Sequence, residues 1–310
     1  MSAPAETTAA APPLAAAHAR SGHGGIALIL VTLLLFVSMD TLVKGLVQRN
    51  PAPVLIWMRF LVHMLVAAGI MIAVPRYRPY MRTKAPVRQL VRSALLLCTT
   101  TTFFFGLRFL KLADLTILTQ AAPLIVVALS VLLLGENVGP RRWFGVLVGF
   151  AGLIIILKPG FGFQWASLFG LASALIYAIY QIMTRSLSRS EHTMTTFFYT
   201  ASVGAVAMAA VAPFFWQTPT LLDAILICVP GIFGGTGHLL LIMAFARSEA
   251  SLLAPYFYTA ILWATILGWA IFDEVPDAFT FVGAGLIVTA GLYIWHRERR
   301  IAKIRGQVRA

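Results

Sequence analysis

The sequence predicts an all-α integral membrane protein of ten transmembrane helices, built as two inverted five-helix repeats. Three observations lead there. The 310-residue chain is 59% hydrophobic and only 11% charged, against roughly 25% charged in an ordinary soluble domain. Its apolar residues fall in runs of about 20, the length a helix needs to cross roughly 30 Å of hydrocarbon at 1.5 Å per residue. The second half of the chain also echoes the first at a period of about 137–141 residues. This composition excludes a water-soluble enzyme, and a disordered chain would be poor in apolar residues.

Residues 1–25, rich in Ala and Pro, are expected to form a disordered tail. The run from Ile26 to Val47 is too long for the core of a cleaved signal peptide, and Gln48-Arg49-Asn50-Pro51 is no small-residue cleavage site. Ten spans are expected at 26–47, 54–74, 90–110, 113–134, 143–158, 166–187, 194–214, 224–246, 250–272 and 278–296, followed by a basic tail, 297–310. Pro and polar residues mark most breaks, as at Pro51 to Pro53, Pro75 to Pro86, Asn137 to Arg142, and Pro159-Gly160. No connection is long enough for a soluble domain, so the function lies within or across the bilayer. Cys98 and Cys228 both sit in apolar runs and read as small core hydrophobes rather than a disulfide.

Orientation follows from the Lys and Arg residues. With the N-terminus in the cytoplasm, eighteen of the 24 fall on the cytoplasmic side, including the cluster Arg76 to Arg92 and the C-terminal tail. Four, Arg49, Arg108, Lys111 and Lys158, fall opposite, and Lys44 and Arg59 lie within spans. Both termini are therefore expected inside a plasma or inner membrane. The net charge of +13 is accounted for by topology and anionic lipid, so no nucleic-acid partner is expected.

The repeats are expected at 26–158 and 166–296. Phe109 to Leu115 is echoed by Phe245 to Leu252, Gly135-Glu136 by Asp273-Glu274, and Gly145, Gly149 and Gly152 by Gly283, Gly285 and Gly291. Asp40 and Lys44 align with Gln181 and Arg185. Five spans per repeat is an odd number, so the second copy lies upside down, as in secondary transporters that share one midplane site between inverted halves.

Leu112-Ala113-Asp114, Ala122-Pro123-Leu124, Leu133 to Glu136, Arg142 to Gly145, Gly149 to Gly152 and Lys158-Pro159-Gly160 together resemble an EamA domain of the drug/metabolite transporter superfamily. The resemblance covers 26–296. It implies two copies in ten helices and metabolite transport through a central cavity lined by helices one, three, four, six, eight and nine. Ser38-Met39-Asp40, Lys44 and Trp57 to Phe60 are similar to the S-adenosylmethionine-type carriers of that superfamily.

A charge at the bilayer centre costs roughly 2.5–3.5 kcal/mol on insertion scales, so each needs a reason. Asp40 lies about 10 Å below the outer boundary and Arg59 about 8 Å below it, counting 1.5 Å per residue. Asp40 therefore either binds a cationic group or a proton, with Arg59 behind it, or pairs with Arg59 to lock helices one and two. Lys44 lies one turn above Asp40, and His63 one turn beyond Arg59. His238 follows four glycines in helix eight. Either histidine can relay protons, and either can simply pack.

The remaining candidate lining residues are Thr100 of the Thr99 to Thr102 run, Thr119 and Gln120 beside Pro123, Tyr177 and Gln181 one turn apart, and Tyr256 and Tyr258 beside Pro255. Aromatic rings with a few polar tips suit an organic solute with a flat or cationic part. Thr hydroxyls also bond back to their own helix. Gly145-x-x-x-Gly149 and Gly231-x-x-x-Gly235 serve close helix packing within the chain or, alternatively, a homodimer. No His, Cys or Glu spacing points to a metal or a cofactor, and none is expected. A secondary carrier by alternating access is the expected function, possible with proton coupling or as an exchanger. An intramembrane enzyme, a channel or a scaffold is the alternative; the H-E-x-x-H, G-x-S-x-G and P-loop motifs are missing.

Overall fold

The structure, a computed structural model, describes residues 22–134, 139–158, 163–187, 190–247 and 253–308. The expected Gly135-Glu136 motif, most of the N-terminal tail, and Ser248 to Leu252 lie outside these residues. The described residues are all-helical: α1 (Gly22–Leu46), α2 (Ala52–Ala73), α3 (Pro86–Leu107), α4 (Leu112–Thr119), α5 (Ala122–Leu134), α6 (Pro140–Leu157), α7 (Ser167–Leu187), α8 (Thr193–Val211), α9 (Leu221–Arg247), α10 (Thr259–Phe272) and α11 (Ala278–Val308). Among them nine segments are long and apolar enough to cross a membrane, and a further one, Trp143–Leu157, is apolar but shorter. At 1.5 Å per residue that stretch covers about 22 Å.

Span four, expected as one helix, is two. Pro123 has no N–H to donate and its ring collides with the carbonyl four residues back, so the chain stops at Thr119 and restarts at Ala122. The same device recurs in the second repeat. Pro255 lies in a 3-10 turn, Ala254–Tyr258, which leads into α10. The two breaks touch across the molecule, where Gln120 Nε2 donates to the Phe257 carbonyl at 2.8 Å.

Packing between the halves follows a twofold exchange. If α1, α2, α3, α4–α5 and α6 are swapped with α7, α8, α9, α10 and α11, the α1–α9 contact becomes α7–α3, and α2–α9 becomes α8–α3. The α1–α10 contact becomes α7–α4 and α7–α5, while α2–α8, α4–α10 and α6–α11 map onto themselves. All of these contacts are present.

Side-chain neighbours fix the sense of the exchange. α1 is antiparallel to α9, since Thr32 and Phe36 meet Gly237 and Met39 meets Gly234. α3 is antiparallel to α7, since Arg92 meets Tyr180, Thr99 meets Ser173 and Gly106 meets Phe169. α1 and α3 are parallel, bridged by Arg59 at the level of Met39 and Thr100 and by Lys44 at the level of Leu110. The helices that open the two repeats therefore run in opposite directions, and the repeats are inverted.

Close approach at the twofold depends on glycine. A Cβ at Gly152 of α6 would lie 2.7 Å from the Gly283 carbonyl, and one at Gly283 of α11 would lie 2.6 Å from the Gly152 carbonyl. Gly145 meets Ile294, Gly149 meets Leu124, and Gly231 and Gly235 meet Val62 and His63. Both small-residue spacings are thus used within the chain. Cys98 departs from its reading as a core residue: it is a free thiol exposed on the outside of the bundle.

Candidate functional site

Three groups of polar side chains lie along the bundle, and each is built by a different set of helices. At one end, Lys44 Nζ lies 3.0 Å from Glu274 Oε1 and donates to the Leu110 carbonyl at 2.6 Å. Glu274 also accepts from the Leu112 N–H at 3.2 Å, and Lys111 Nζ donates to the Val275 carbonyl at 2.7 Å. Asp273, in the left-handed region at φ 54°, caps α10 and turns the chain so that Glu274 faces this group. Lys44, Lys111 and Glu274 line a cavity of about 420 Å³ with Gln48, Arg108, Asp114 and Gln164. Just beside it, Lys158 pairs with Asp277, which also accepts from the Thr280 N–H. The Lys158 ammonium holds the Asp277 carboxyl below the usual carboxylate range.

In the middle lies Arg59, 5% exposed. Its Nη1 donates to Thr100 Oγ1 at 3.2 Å and its Nε points at Met39 Sδ at 3.3 Å. Its guanidinium stands 4.8 Å from the Phe60 ring centroid and 5.8 Å from that of Phe104. Asp40 is within Coulombic range of Arg59 but does not pair with it. It makes no hydrogen bond or ion pair among the described residues. Asp40 and Tyr177 are both half-buried. Tyr177 stacks on Tyr180 at 5.7 Å. The expected alternative of an Asp40–Arg59 lock is not what the side chains form.

His63 and His238 stack face to face at 5.7 Å between α2 and α9, enclosed by Phe36 and Phe197. His63 Nε2 is buried without a partner among the described residues. Gln181 is half-buried on the same face of α7 as Tyr177. Thr119 bonds to its own helix, at the Thr116 carbonyl, and Thr101 and Thr102 do the same. Tyr256 lies in the 3-10 turn, its carbonyl taken by Thr259. Tyr258 faces α11, where its hydroxyl occupies the place a Cβ on Gly291 would take. Lys44 and Tyr258 therefore lie apart from the central group, while Asp40, Thr100, Arg59 and Tyr177 gather there.

The third group was missed. Arg92, counted among the loop charges, lies inside α3 and is 0% exposed. Nε donates to Gln89 Oε1 (3.3 Å), Nη1 to Tyr180 OH (3.0 Å) and Thr184 Oγ1 (3.5 Å), and Nη2 to the Thr196 carbonyl (2.9 Å) and Thr200 Oγ1 (2.7 Å). Five N–H groups meet five neutral acceptors from α3, α7 and α8. The signal was present: Gln89, Arg92, Ser93 and Leu96 follow the i, i+3, i+4, i+7 rule and are all buried, while Val87, Leu90 and Val91 face outward. A polar stripe turned inward and an apolar face turned outward mark a helix in lipid.

An inverted, all-helical bundle with apolar flanks and charges at its centre defines a multi-pass membrane protein. The profile of the EamA-like transporter family matches residues 23–158 and again 164–295. The chain belongs to that family, and with it to the transporters of small solutes. It is 32% identical over 221 residues to the S-adenosylmethionine uptake transporter of Rickettsia bellii, covering 71% of this chain and 76% of that one. It is 30% identical over 226 residues to a riboflavin transporter of Rhizobium johnstonii, covering 71% and 74%. Against the pseudopaline exporter of Pseudomonas aeruginosa it is 30% identical over 282 residues, covering 86% and 94%. A solved crystal structure superposes with a TM-score of 0.64 at 21% identity, covering 91% of this chain and 99% of that one. That last likeness speaks for the fold.

Proposed function

We propose that the chain is an alternating-access carrier whose solute binds in the central space beside Asp40, and that it performs no chemistry on that solute. The observation that supports this reading is Asp40 itself, a half-buried carboxylate on α1 with no hydrogen bond or ion pair among the described residues. An unpaired intramembrane charge is otherwise a cost with no return. Thr100, Gln120, Tyr177, Gln181 and Tyr256 complete the wall, and His63 with His238 closes it toward α9. Lys44–Glu274 and the Arg92 cluster close its two ends. Solutes of the S-adenosylmethionine type suit an acidic site beside stacked tyrosines, and the Rickettsia relative supports them.

The Arg92 end is cytoplasmic in this reading, with both termini inside the cell membrane. Removing Arg92 from the loop charges leaves the Lys and Arg bias intact. The chain acts with its solute and the bilayer, without nucleic acid, and its Gly145/Gly149 and Gly231/Gly235 spacings pack within the chain.

The test is flux of labelled S-adenosylmethionine and riboflavin into vesicles holding the purified protein. The expected result is saturable S-adenosylmethionine flux that falls at least about tenfold in Asp40→Asn, the loss expected for one charged contact. Wild-type flux in Asp40→Asn overturns the role of Asp40. Riboflavin flux alone replaces the solute. A pH gradient that changes the rate would add proton coupling.

A further inference from the structure

Arg59 has five N–H groups. Among the described residues, one meets the Thr100 hydroxyl and one meets a thioether sulfur, a weak acceptor. Both Nη2 hydrogens are left without an acceptor. The two Phe rings, Thr100 and Met39 hold the guanidinium in one orientation, with Gly234 of α9 beside Nη2. A Cβ on Gly234 would stand 3.4 Å from Nε and 3.6 Å from Nη2, in ordinary van der Waals contact, and 3.1 Å from Met39 Sδ. Asp40 offers the opposite charge nearby, with two oxygens and no donor to meet them. The two side chains do not pair with each other, so each keeps hydrogen-bonding capacity among the described residues.

We propose that Arg59 and Asp40 form a two-point receptor for a zwitterionic solute of amino-acid type, Arg59 taking its carboxylate and Asp40 its cationic group. The inference rests on the carrier reading and narrows its solute class. A planar guanidinium with two parallel N–H groups matches a carboxylate in a fork. An amine alone would neutralise Asp40 but leave Arg59 buried and unpaired; an acid alone would do the reverse. A zwitterion satisfies both charges and carries no net charge across the hydrocarbon. The stacked Tyr177 and Tyr180 rings, 5.7 Å apart, then meet the rest of the solute. Arg59 therefore touches solute directly rather than standing behind Asp40.

The experiment measures binding to the full chain in lipid nanodiscs, with matched probes. These are methionine, 3-(methylthio)propylamine and 4-(methylthio)butanoate; phenylalanine, phenethylamine and 3-phenylpropanoate; and S-adenosylmethionine with its decarboxylated form. The expected result is that within at least one set the compound with both amine and carboxylate binds at least about tenfold more tightly than the analogues lacking one of the two, the scale of one charged hydrogen bond; S-adenosylmethionine carries an additional sulfonium charge, which its decarboxylated form keeps. In Arg59→Gln the amine of that set should bind as well as the zwitterion, and in Asp40→Asn the acid should. Arg59→Lys keeps the charge but loses the fork, and should recover part of the preference. Equal binding of zwitterion and amine in the unaltered protein, or binding of none of the probes, overturns the inference. Flux of riboflavin without zwitterion preference sinks the receptor while sparing the carrier. Zwitterion binding with no flux of any probe sinks the carrier while sparing the receptor.

Discussion

Two arginines are buried among the described residues, and they are held in opposite ways. Arg92 meets five neutral acceptors and is closed off completely. Arg59 meets one hydroxyl, one sulfur and two aromatic faces, and keeps donors free. A guanidinium out of water needs its hydrogen bonds replaced, whether or not a counter-ion is present. Arg92 has that replacement built into the fold; Arg59 does not. The first is a tie between helices, and the second is a site. This difference cannot be read from burial, which is nearly the same for both.

The comparison can be broken most severely at Arg92. Arg92→Met should lower the apparent melting temperature of the detergent-solubilised protein by the equivalent of about 2–3 kcal/mol, because the Thr196 carbonyl and two hydroxyls lose their donor. Arg92→Lys, with three donors for five acceptors, should recover only part. Unchanged melting in Arg92→Met would show that the cluster is no tie.

Thr200→Val sharpens the same contrast on a smaller scale. It removes one acceptor at 2.7 Å and should cost about 1–2 kcal/mol, and much less when combined with Arg92→Met. A double-mutant cycle of melting temperatures checks the coupling.

Arg59→Gln should leave the melting temperature without solute within about 1 kcal/mol of the unaltered protein, or raise it, since it removes a poorly compensated buried charge. A loss as large as that of Arg92→Met would place Arg59 with the ties.

The smallest effect belongs to Lys158–Asp277, at the end of the bundle and open to solvent. Asp277→Asn should cost less than about 1 kcal/mol, as exposed pairs do. Because the folded carboxyl titrates below its ordinary range, its contribution is present above that range and disappears as the pH falls through the lowered value. Melting curves recorded from neutral to acid pH should converge for the variant and the unaltered protein only at the acid end.

Much of this molecule was legible beforehand, and particular residues show why. The Gly145/Gly149 and Gly231/Gly235 spacings marked helices that approach closely, and Gly152 and Gly283, legible only as part of the repeat, sit where α6 and α11 cross, each carbonyl filling the place of the other's missing side chain. Asp40 and Arg59 stood out because charge in an apolar run is rare enough to need a cause. Pro123 and Pro255 were noted as polar-patch markers, yet the helix breaks they make lie in the backbone and join through Gln120 and Phe257. Arg92 was misplaced because it begins a helix rich in basic neighbours, where counting by sequence position cannot tell a loop charge from an inward one.

The sequence by itself determined that the chain is a bundle of apolar helices, where those helices fall along it, and that its second half repeats the first. Those follow from hydrophobicity and chain length, which are local sums. Only the tertiary structure decided who partners whom: Lys44 with Glu274 rather than Asp40, Arg92 with Tyr180, Thr196 and Thr200, and Asp40 with no partner among the described residues. A hydrogen bond depends on separations of a few tenths of an ångström between residues up to hundreds of positions apart in the chain. No sum over a sequence window carries that information.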